Sequence, residues 1–178
     1  MKGDFTMPLS RSRWIGVACA LIALVVHIQA LKGEAVLDDQ AVFLENPAVQ
    51  GSFDLTTIFT TNVFGGKKGL ERAGGYRPLT LLTFRLGPSD NLAFQRFLNL
   101  LLHALTVWML WLFFLELGLR NWFAVFSVSI FAVHPVHVDA IVPLNNRSDL
   151  LCTLFLISSL FCWLRARDKR LGLVAVAL

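Results

Sequence analysis

Long apolar runs alternate with polar segments along this chain, and this pattern sets the first expectation about its fold. Four of the runs reach or approach the roughly 20 residues that a helix needs to cross a bilayer. They cover residues 14–31, 98–117, 121–142 and 149–164. The pattern therefore predicts an all-α integral membrane protein with several spans.

A fifth apolar run starts at Leu171 and reaches the end of the sequence at Leu178 after eight residues. Eight residues are too few to cross a membrane, so we expect residues 1–178 to be the N-terminal part of a truncated, longer membrane domain. The long loop between the first two spans, residues 32–97, belongs to this same domain.

Within that loop, the segment Leu55–Thr61 is predicted to form a short amphipathic helix. Its apolar side chains recur at helical spacing and share one face. Ser52 or Asp54 precedes it and is suited to accept hydrogen bonds from the first free backbone N–H groups. We expect this helix to lie along the membrane surface.

The composition supports the membrane class. The chain is 56% hydrophobic and 16% charged, and its mean hydropathy is +0.63. A soluble domain of 178 residues would bury such apolar content only with difficulty. The net charge of +4 comes mostly from cations that flank the spans, so we expect no nucleic-acid partner.

These flanking cations also predict the orientation. Lys2, Arg11 and Arg13 precede the first span, and Arg120 lies between the second and the third. More cations follow the fourth span: Arg165, Arg167, Lys169 and Arg170. Because cytoplasmic loops carry the excess of Lys and Arg, we expect a cytoplasmic N terminus. The loops at 32–97 and 134–148 then face outward, in a bacterial inner membrane or the endoplasmic reticulum.

Two adjacent carboxylates, Asp38 and Asp39, follow the first span at the expected boundary between lipid and water. An ionised carboxylate is costly to keep so close to hydrocarbon, which indicates a functional role. Such a group holds its proton more readily than one in water, and this suits a general base. Asp38 and Asp39 are therefore the candidate catalytic residues.

The second span carries Gln95, Asn99 and His103 at helical spacing, so the three side chains share one face. Polar residues in a span usually bond to neighbouring helices, and we favour this packing role over direct chemistry. The alternative is a transporter or channel subunit in which they line a watery path.

The second outward loop opens with His134, Pro135 and His137, followed by Asp139. Pro135 lacks a backbone donor and predicts a kink or break in the third span. The two histidines and the carboxylate match a metal site of two His and one carboxylate, but the motif is short. We favour histidines that pin the loop or bind a phosphate or sugar, and we predict no metal.

Three further residues are candidates for binding a lipid phosphate. Arg147 closes the second outward loop, and its guanidinium suits bidentate phosphate binding. Asp149 follows it and either takes part in this site or caps the fourth span. Arg77, from the first outward loop, is a second cation for the same role.

Several blocks, in this order, carry a family resemblance. They are Leu37-Asp38-Asp39, Glu45-Asn46-Pro47-Ala48-Val49, Ile58-Phe59-Thr60, Gly75-Tyr76-Arg77-Pro78-Leu79-Thr80, Asn99, His103, His134-Pro135-Val136-His137 and Arg147-Ser148-Asp149. Together they resemble the membrane part of the transmembrane O-mannosyltransferases with tetratricopeptide repeats and their bacterial relatives. The likeness runs from about residue 33 to 165.

The resemblance implies a multi-span helical bundle of the GT-C type. Such an enzyme takes a sugar, here mannose, from a polyprenyl-phosphate carrier such as dolichyl phosphate, and transfers it to Ser or Thr hydroxyls of exported proteins. Asp38 is by analogy the base, and no cofactor or metal is implied. The expected partners are membrane lipid, the lipid-linked donor and the acceptor protein. An inactive truncated fragment remains an alternative for the 178-residue chain.

Overall fold

The computed structural model describes residues 9–36, 38–66, 68–70, 74–88 and 90–169. The helices in these ranges are α1 Leu9–Val26, α2 Pro47–Gln50, α3 Leu55–Thr60, α4 Pro78–Phe84, α5 Leu92–Glu116, α6 Asn121–Val133, α7 His137–Ile141 and α8 Arg147–Lys169. Short 3₁₀ turns at Ile28–Leu31 and Leu144–Asn146 and a π-helical turn at Gln40–Leu44 join them. The described residues contain no strand, so the all-α prediction is confirmed.

Two of the four predicted spans are long and apolar enough to cross a membrane. They are Leu92–Glu116, with a mean hydropathy of 1.9, and Leu144–Ala166, with 1.6. The apolar helices Trp14–Val26 and Asn121–Val133 are shorter. Two helices of the described residues are thus candidate membrane spans, while the complete multi-span bundle stays a prediction. The fifth run, 171–178, lies outside the described residues.

The predicted third span, 121–142, is wrong as a single helix. α6 ends at Val133, His134 is extended with φ of −65° and ψ of 127°, and α7 starts only at His137. Pro135 explains the break, because it disfavours helical geometry in the residue before it and donates no backbone hydrogen bond. The predicted interruption at this proline is confirmed.

The described residues form two compact units. The first contains residues up to Ile28, residues 100–135 and residues from Cys152 onward. In it, α1 packs against α6, and small residues allow close approach. A Cβ on Gly16 would overlap the indole ring of the fully buried Trp111. The core of this unit consists of Cys19, Ala23, Val107, Trp111, Ala124, Val128 and Ala132.

The second unit contains residues 29–99 and 136–151. In its centre lies a cluster of buried apolar side chains: Val42, Phe43, Ala48, Val49, Ile58, Val63, Phe64, Leu81, Phe84 and Leu144. Because Leu144 joins a cluster formed otherwise by residues 42–84, the segments 32–97 and 134–148 contribute to one core. All the candidate residues discussed below except His134 and His103 belong to this unit.

The predicted amphipathic helix in the first loop is confirmed as α3, Leu55–Thr60. Of the two expected caps, Asp54 is the one used: its Oδ1 accepts from Thr56 N at 2.9 Å and its Oδ2 from Thr57 N at 3.1 Å. Ile58 is fully buried in the core of the unit, whereas Leu55 and Phe59 remain exposed. One apolar position of the helix therefore fixes it to the unit.

Candidate active site

Asp38 and Asp39 form the acidic turn, and their two carboxylates differ in exposure to solvent. Asp38 is exposed, whereas Asp39 is fully buried. Each carboxylate oxygen of Asp39 accepts a backbone hydrogen bond, Oδ2 from Val36 N at 3.1 Å and Oδ1 from Leu144 N at 2.7 Å. The two neighbours in sequence are therefore suited to different tasks, since only Asp38 presents its carboxylate at the surface.

Arg96 neutralises the buried member of the pair. Its Nη2 lies 3.4 Å from Asp39 Oδ2, and the two side chains are 1% and 0% exposed. A buried carboxylate without such a partner would pay a large desolvation penalty. The ion pair therefore allows Asp39 to sit inside the unit while Asp38 stays in contact with solvent.

The backbone on both sides of Asp38 is also hydrogen-bonded. Val42 N donates to the carbonyl oxygen of Asp38 at 2.8 Å, next to the π-helical turn Gln40–Leu44. Asp39 N donates to the carbonyl oxygen of Val36 at 3.0 Å. The exposed carboxylate thus stands on a turn with a defined backbone, which favours precise placement of a reacting group.

Arg147, the predicted phosphate ligand, is fully buried. Its Nε donates to Asn99 Oδ1 at 2.6 Å and its Nη2 to Gln95 O at 2.7 Å. Its guanidinium carbon lies 4.5 Å from the centre of the Phe84 ring. In the part of the chain that the structure describes, no carboxylate lies within ion-pairing distance of Arg147. Its guanidinium thus lies against an amide oxygen, a carbonyl oxygen and an aromatic ring, whereas that of Arg96 faces the carboxylate of Asp39.

Arg77 connects the two loops of the second unit. It is half-buried at the start of α4, and its Nη1 donates to both oxygens of Asn145, the backbone one at 3.1 Å and Oδ1 at 3.0 Å. Asn145 lies two residues before Arg147. The candidate cations Arg77 and Arg147 are thereby held in one compact unit with the acidic turn.

The remaining candidates lie around the break after α6. His134 is exposed at the end of α6, and the half-buried His137 begins α7. Asp139 is exposed in the first turn of α7, and its carbonyl oxygen accepts from Asn146 Nδ2 at 2.9 Å. Among the residues that the structure describes, no group of three His, Cys, Asp or Glu side chains is placed to hold a metal ion.

Asp149 does not cap the fourth span, and that expectation is wrong. α8 already begins at Arg147, directly after the 3₁₀ turn Leu144–Asn146, so Asp149 lies in the first helical turn. The 3₁₀ turn accepts hydrogen bonds from the N–H groups of Asn146 and Arg147, and a carboxylate in the first turn contributes favourable charge near the start of the helix. Asp149 itself is exposed.

The shared polar face of the second span is confirmed. Gln95 and Asn99 are fully buried and His103 is 1% exposed. Gln95 Nε2 donates to Phe84 O at 3.0 Å, Asn99 Nδ2 to Ile141 O at 2.9 Å, and His103 Nε2 lies 3.4 Å from Ala132 O. These contacts agree with the packing role. The open watery path of the transporter alternative requires the same side chains to face water.

Curated proteins with similar sequences point to one family. Protein O-mannosyl-transferase F38B6.6 of Caenorhabditis elegans is 28% identical over 177 residues, which is 90% of this chain. Protein O-mannosyl-transferase TMTC1 of Homo sapiens is 33% identical over 165 residues, or 85% of the chain. Protein O-mannosyl-transferase TMTC3 of Homo sapiens is 32% identical over 136 residues, or 74% of the chain. This chain is a homologue of the protein O-mannosyl-transferases.

The likeness to the O-mannosyl-transferases confirms the family resemblance seen in the short blocks. The chain spans 25% of the length of the Caenorhabditis protein, 19% of human TMTC1 and 15% of human TMTC3. No family model matches the chain. No solved structure matches it either.

The sequence reasoning missed Arg96 as a member of this site. The signal was present, because Arg96, Asn99 and His103 follow one another at helical spacing and so extend the polar face of α5. Arg96 lies before the apolar run at 98–117, in a position where an arginine ordinarily flanks a membrane span. Only the folded unit reveals its carboxylate partner.

Proposed function

We propose that this chain is part of a membrane-bound protein O-mannosyltransferase and carries the base that activates the acceptor. The donor is mannose on a polyprenyl phosphate, and the acceptor is a Ser or Thr hydroxyl of an exported protein. The observation that carries the proposal is the exposed carboxylate of Asp38 on an anchored turn, in a chain whose homologues are named protein O-mannosyl-transferases.

In the proposed reaction, the Asp38 carboxylate takes the proton of the acceptor hydroxyl. The hydroxyl oxygen attacks the anomeric carbon of the mannose from the face opposite the phosphate. The bond between that carbon and the phosphate oxygen breaks, and the polyprenyl phosphate leaves with the bonding electrons. A single displacement of this kind inverts the anomeric centre. Asp39 keeps the turn in place and does not touch the substrate.

The leaving phosphate gains negative charge, and fixed positive charge lowers the energy of that state. Arg147 is suited to supply it, because its charge is not cancelled by a nearby carboxylate of the described residues. It acts through its field from inside the unit, since its donors already bind protein groups. Arg77 and His137, both in the second unit, are the proposed direct contacts of the phosphate.

The proposal places the reaction on the non-cytoplasmic side of the membrane, where exported proteins and the lipid-linked donor meet. It needs no resident cofactor, because the donor is already activated by its phosphate leaving group. Asp149 is proposed to favour the start of α8 and, through it, the position of Arg147, two residues earlier. The burial of Gln95, Asn99 and His103 does not favour the transporter alternative.

The test compares Asp38→Asn with Asp90→Asn in the full-length protein. Both residues are exposed carboxylates of the second unit, but only Asp38 lies in the acidic turn. We expect Asp38→Asn to lower mannose transfer in membranes by about 10²-fold or more, as is typical when a general base is lost. Asp90→Asn should retain transfer, and both variants should insert equally. Normal transfer by Asp38→Asn would exclude Asp38 as the base and make Asp39 the next residue to test.

A further inference from the structure

Arg96 takes no part in the proposed chemistry, yet its side chain pairs with Asp39 and bonds to the backbone of Gly33, Glu34 and Val142. We infer that Arg96 is a positioning residue, which fixes the turn that carries Asp38 to the second loop and so holds the carboxylate in one place. This inference rests on the proposed function, because it takes Asp38 to be the base.

The guanidinium of Arg96 bonds to the backbone before and beyond the turn. Nη1 donates to Gly33 O at 2.9 Å, and Nη2 donates to Glu34 O at 2.6 Å. Nε donates to Val142 O at 3.2 Å, on the second loop. A planar guanidinium can reach three acceptors at fixed angles, which a lysine ammonium on its flexible stem cannot match.

Asp39, the other partner of the ion pair, bonds to the same two segments of the chain as Arg96. Its carboxylate binds Arg96 together with the N–H groups of Val36 and Leu144. The ion pair therefore links residues 33–36 to residues 142–144, because Arg96 and Asp39 each bond to both segments. Asp38 lies between Val36 and Asp39 and is the exposed residue of this anchored stretch.

The energetics favour positioning over stability as the reason for such a pair. Removing two charges from water costs several kcal/mol per ion, and packed apolar groups of similar volume are often at least as stabilising. What an ion pair with five backbone partners adds is a defined orientation. A base displaced by about 1 Å can lose about 10²-fold in rate, so this orientation matters for the proposed reaction.

The experiment measures kcat and KM for the lipid-linked mannose in the full-length protein, per folded molecule as judged by protease protection. Arg96→Ala is compared with Arg85→Ala. Arg85 also donates to two backbone carbonyls of the second unit, those of Val49 and Gly51, but does not touch the acidic turn. We expect Arg96→Ala to lower kcat by about 10²-fold with KM unchanged, and Arg85→Ala to leave both constants near wild type.

Rescue separates a positioning role from general destabilisation. Millimolar guanidinium chloride should restore part of the kcat of Arg96→Ala, because it replaces the missing group, and should leave wild type and Asp38→Asn unchanged. If Arg96→Ala does not fold, Arg96→Lys replaces it. We expect this variant to keep KM and to have a kcat between those of wild type and Asp38→Asn.

Three results would overturn the inference: equal losses in Arg96→Ala and Arg85→Ala, no recovery with guanidinium, or wild-type kcat in Arg96→Lys. The proposed function is judged separately by Asp38→Asn. If that variant is inactive while Arg96→Ala or Arg96→Lys turns over normally, the function stands and the positioning role of Arg96 is wrong.

Discussion

Asn46 shows how a single side chain can hold several segments of the second unit together. It is fully buried, and its Nδ2 donates to Val42 O and Val63 O, both at 2.8 Å, while its Oδ1 accepts from Ala48 N at 2.9 Å. Replacing it with alanine leaves these three buried backbone groups without their partner. Each such group costs about 1–3 kcal/mol, so we expect Asn46→Ala to destabilise the unit by at least about 3 kcal/mol.

The matched variant is Gln40→Ala. Gln40 and Glu45 are both exposed, and their side chains are hydrogen-bonded to each other. Removing the Gln40 side chain should therefore change the free energy of unfolding by less than about 0.5 kcal/mol. The measurement is limited proteolysis of the detergent-solubilised protein over a temperature series, with cleavage sites mapped by mass spectrometry. Equal protection of the two variants in residues 38–66 would refute this role of Asn46.

At the scale of elements, the short helix α3 depends on the charge of its cap. Hydrogen bonds from the Thr57 hydroxyl, and then from the N–H groups of Thr56 and Thr57, lower the pKa of Asp54 from its ordinary value of 3.8. A lowered pKa in the folded state means that the cap stabilises the helix above the unfolded pKa. That contribution is lost as the pH falls through the lower, folded value.

We therefore expect α3 to lose protection below about pH 4 in the wild type. In Asp54→Asn the cap carries no titrating group, so the protection should not change across this range. The measurement is hydrogen exchange of the peptide covering Leu55–Thr60, corrected for the intrinsic dependence of exchange on pH. The same acid-induced loss in Asp54→Asn would show that another group controls the helix.

The sequence predicted that single helices exist better than it predicted where they end and which residues they contact. The apolar pattern located α3 and α5, and Pro135 located the break after α6, since these are local effects of periodicity and of a missing donor. The pairing of Arg96 with Asp39 joins residues 57 positions apart. No local pattern contains this contact, so the division of roles between Asp38 and Asp39 required the folded unit.

For the whole molecule, the contacts within the second unit bear on membrane topology. Residues 29–99 and 136–151 form one compact unit, so we expect the parts of it outside α5 and α8 to lie on the same side of a membrane. If α5 crosses the membrane once, the chain must return between Glu116 and Val136, and α6 is the helix there. α6 has 13 residues, or about 20 Å of helix, against a hydrocarbon thickness of about 30 Å. We expect α6 to cross nevertheless, with local thinning of the bilayer.

Single cysteines test this topology in a chain whose native Cys19, Cys152 and Cys162 are replaced by serine. Four crossings place position 120 in the cytoplasm and positions 90 and 139 outside, whereas crossing by α5 and α8 alone places 120 and 139 on the same side. Asp90, Arg120 and Asp139 are all exposed, so cysteines there are open to reagent. We expect an impermeant maleimide to label positions 90 and 139 from the non-cytoplasmic side, and position 120 only after permeabilisation. If 139 and 120 are labelled together, α6 does not cross, and the shared core of residues 29–99 and 136–151 is incompatible with a crossing by α5.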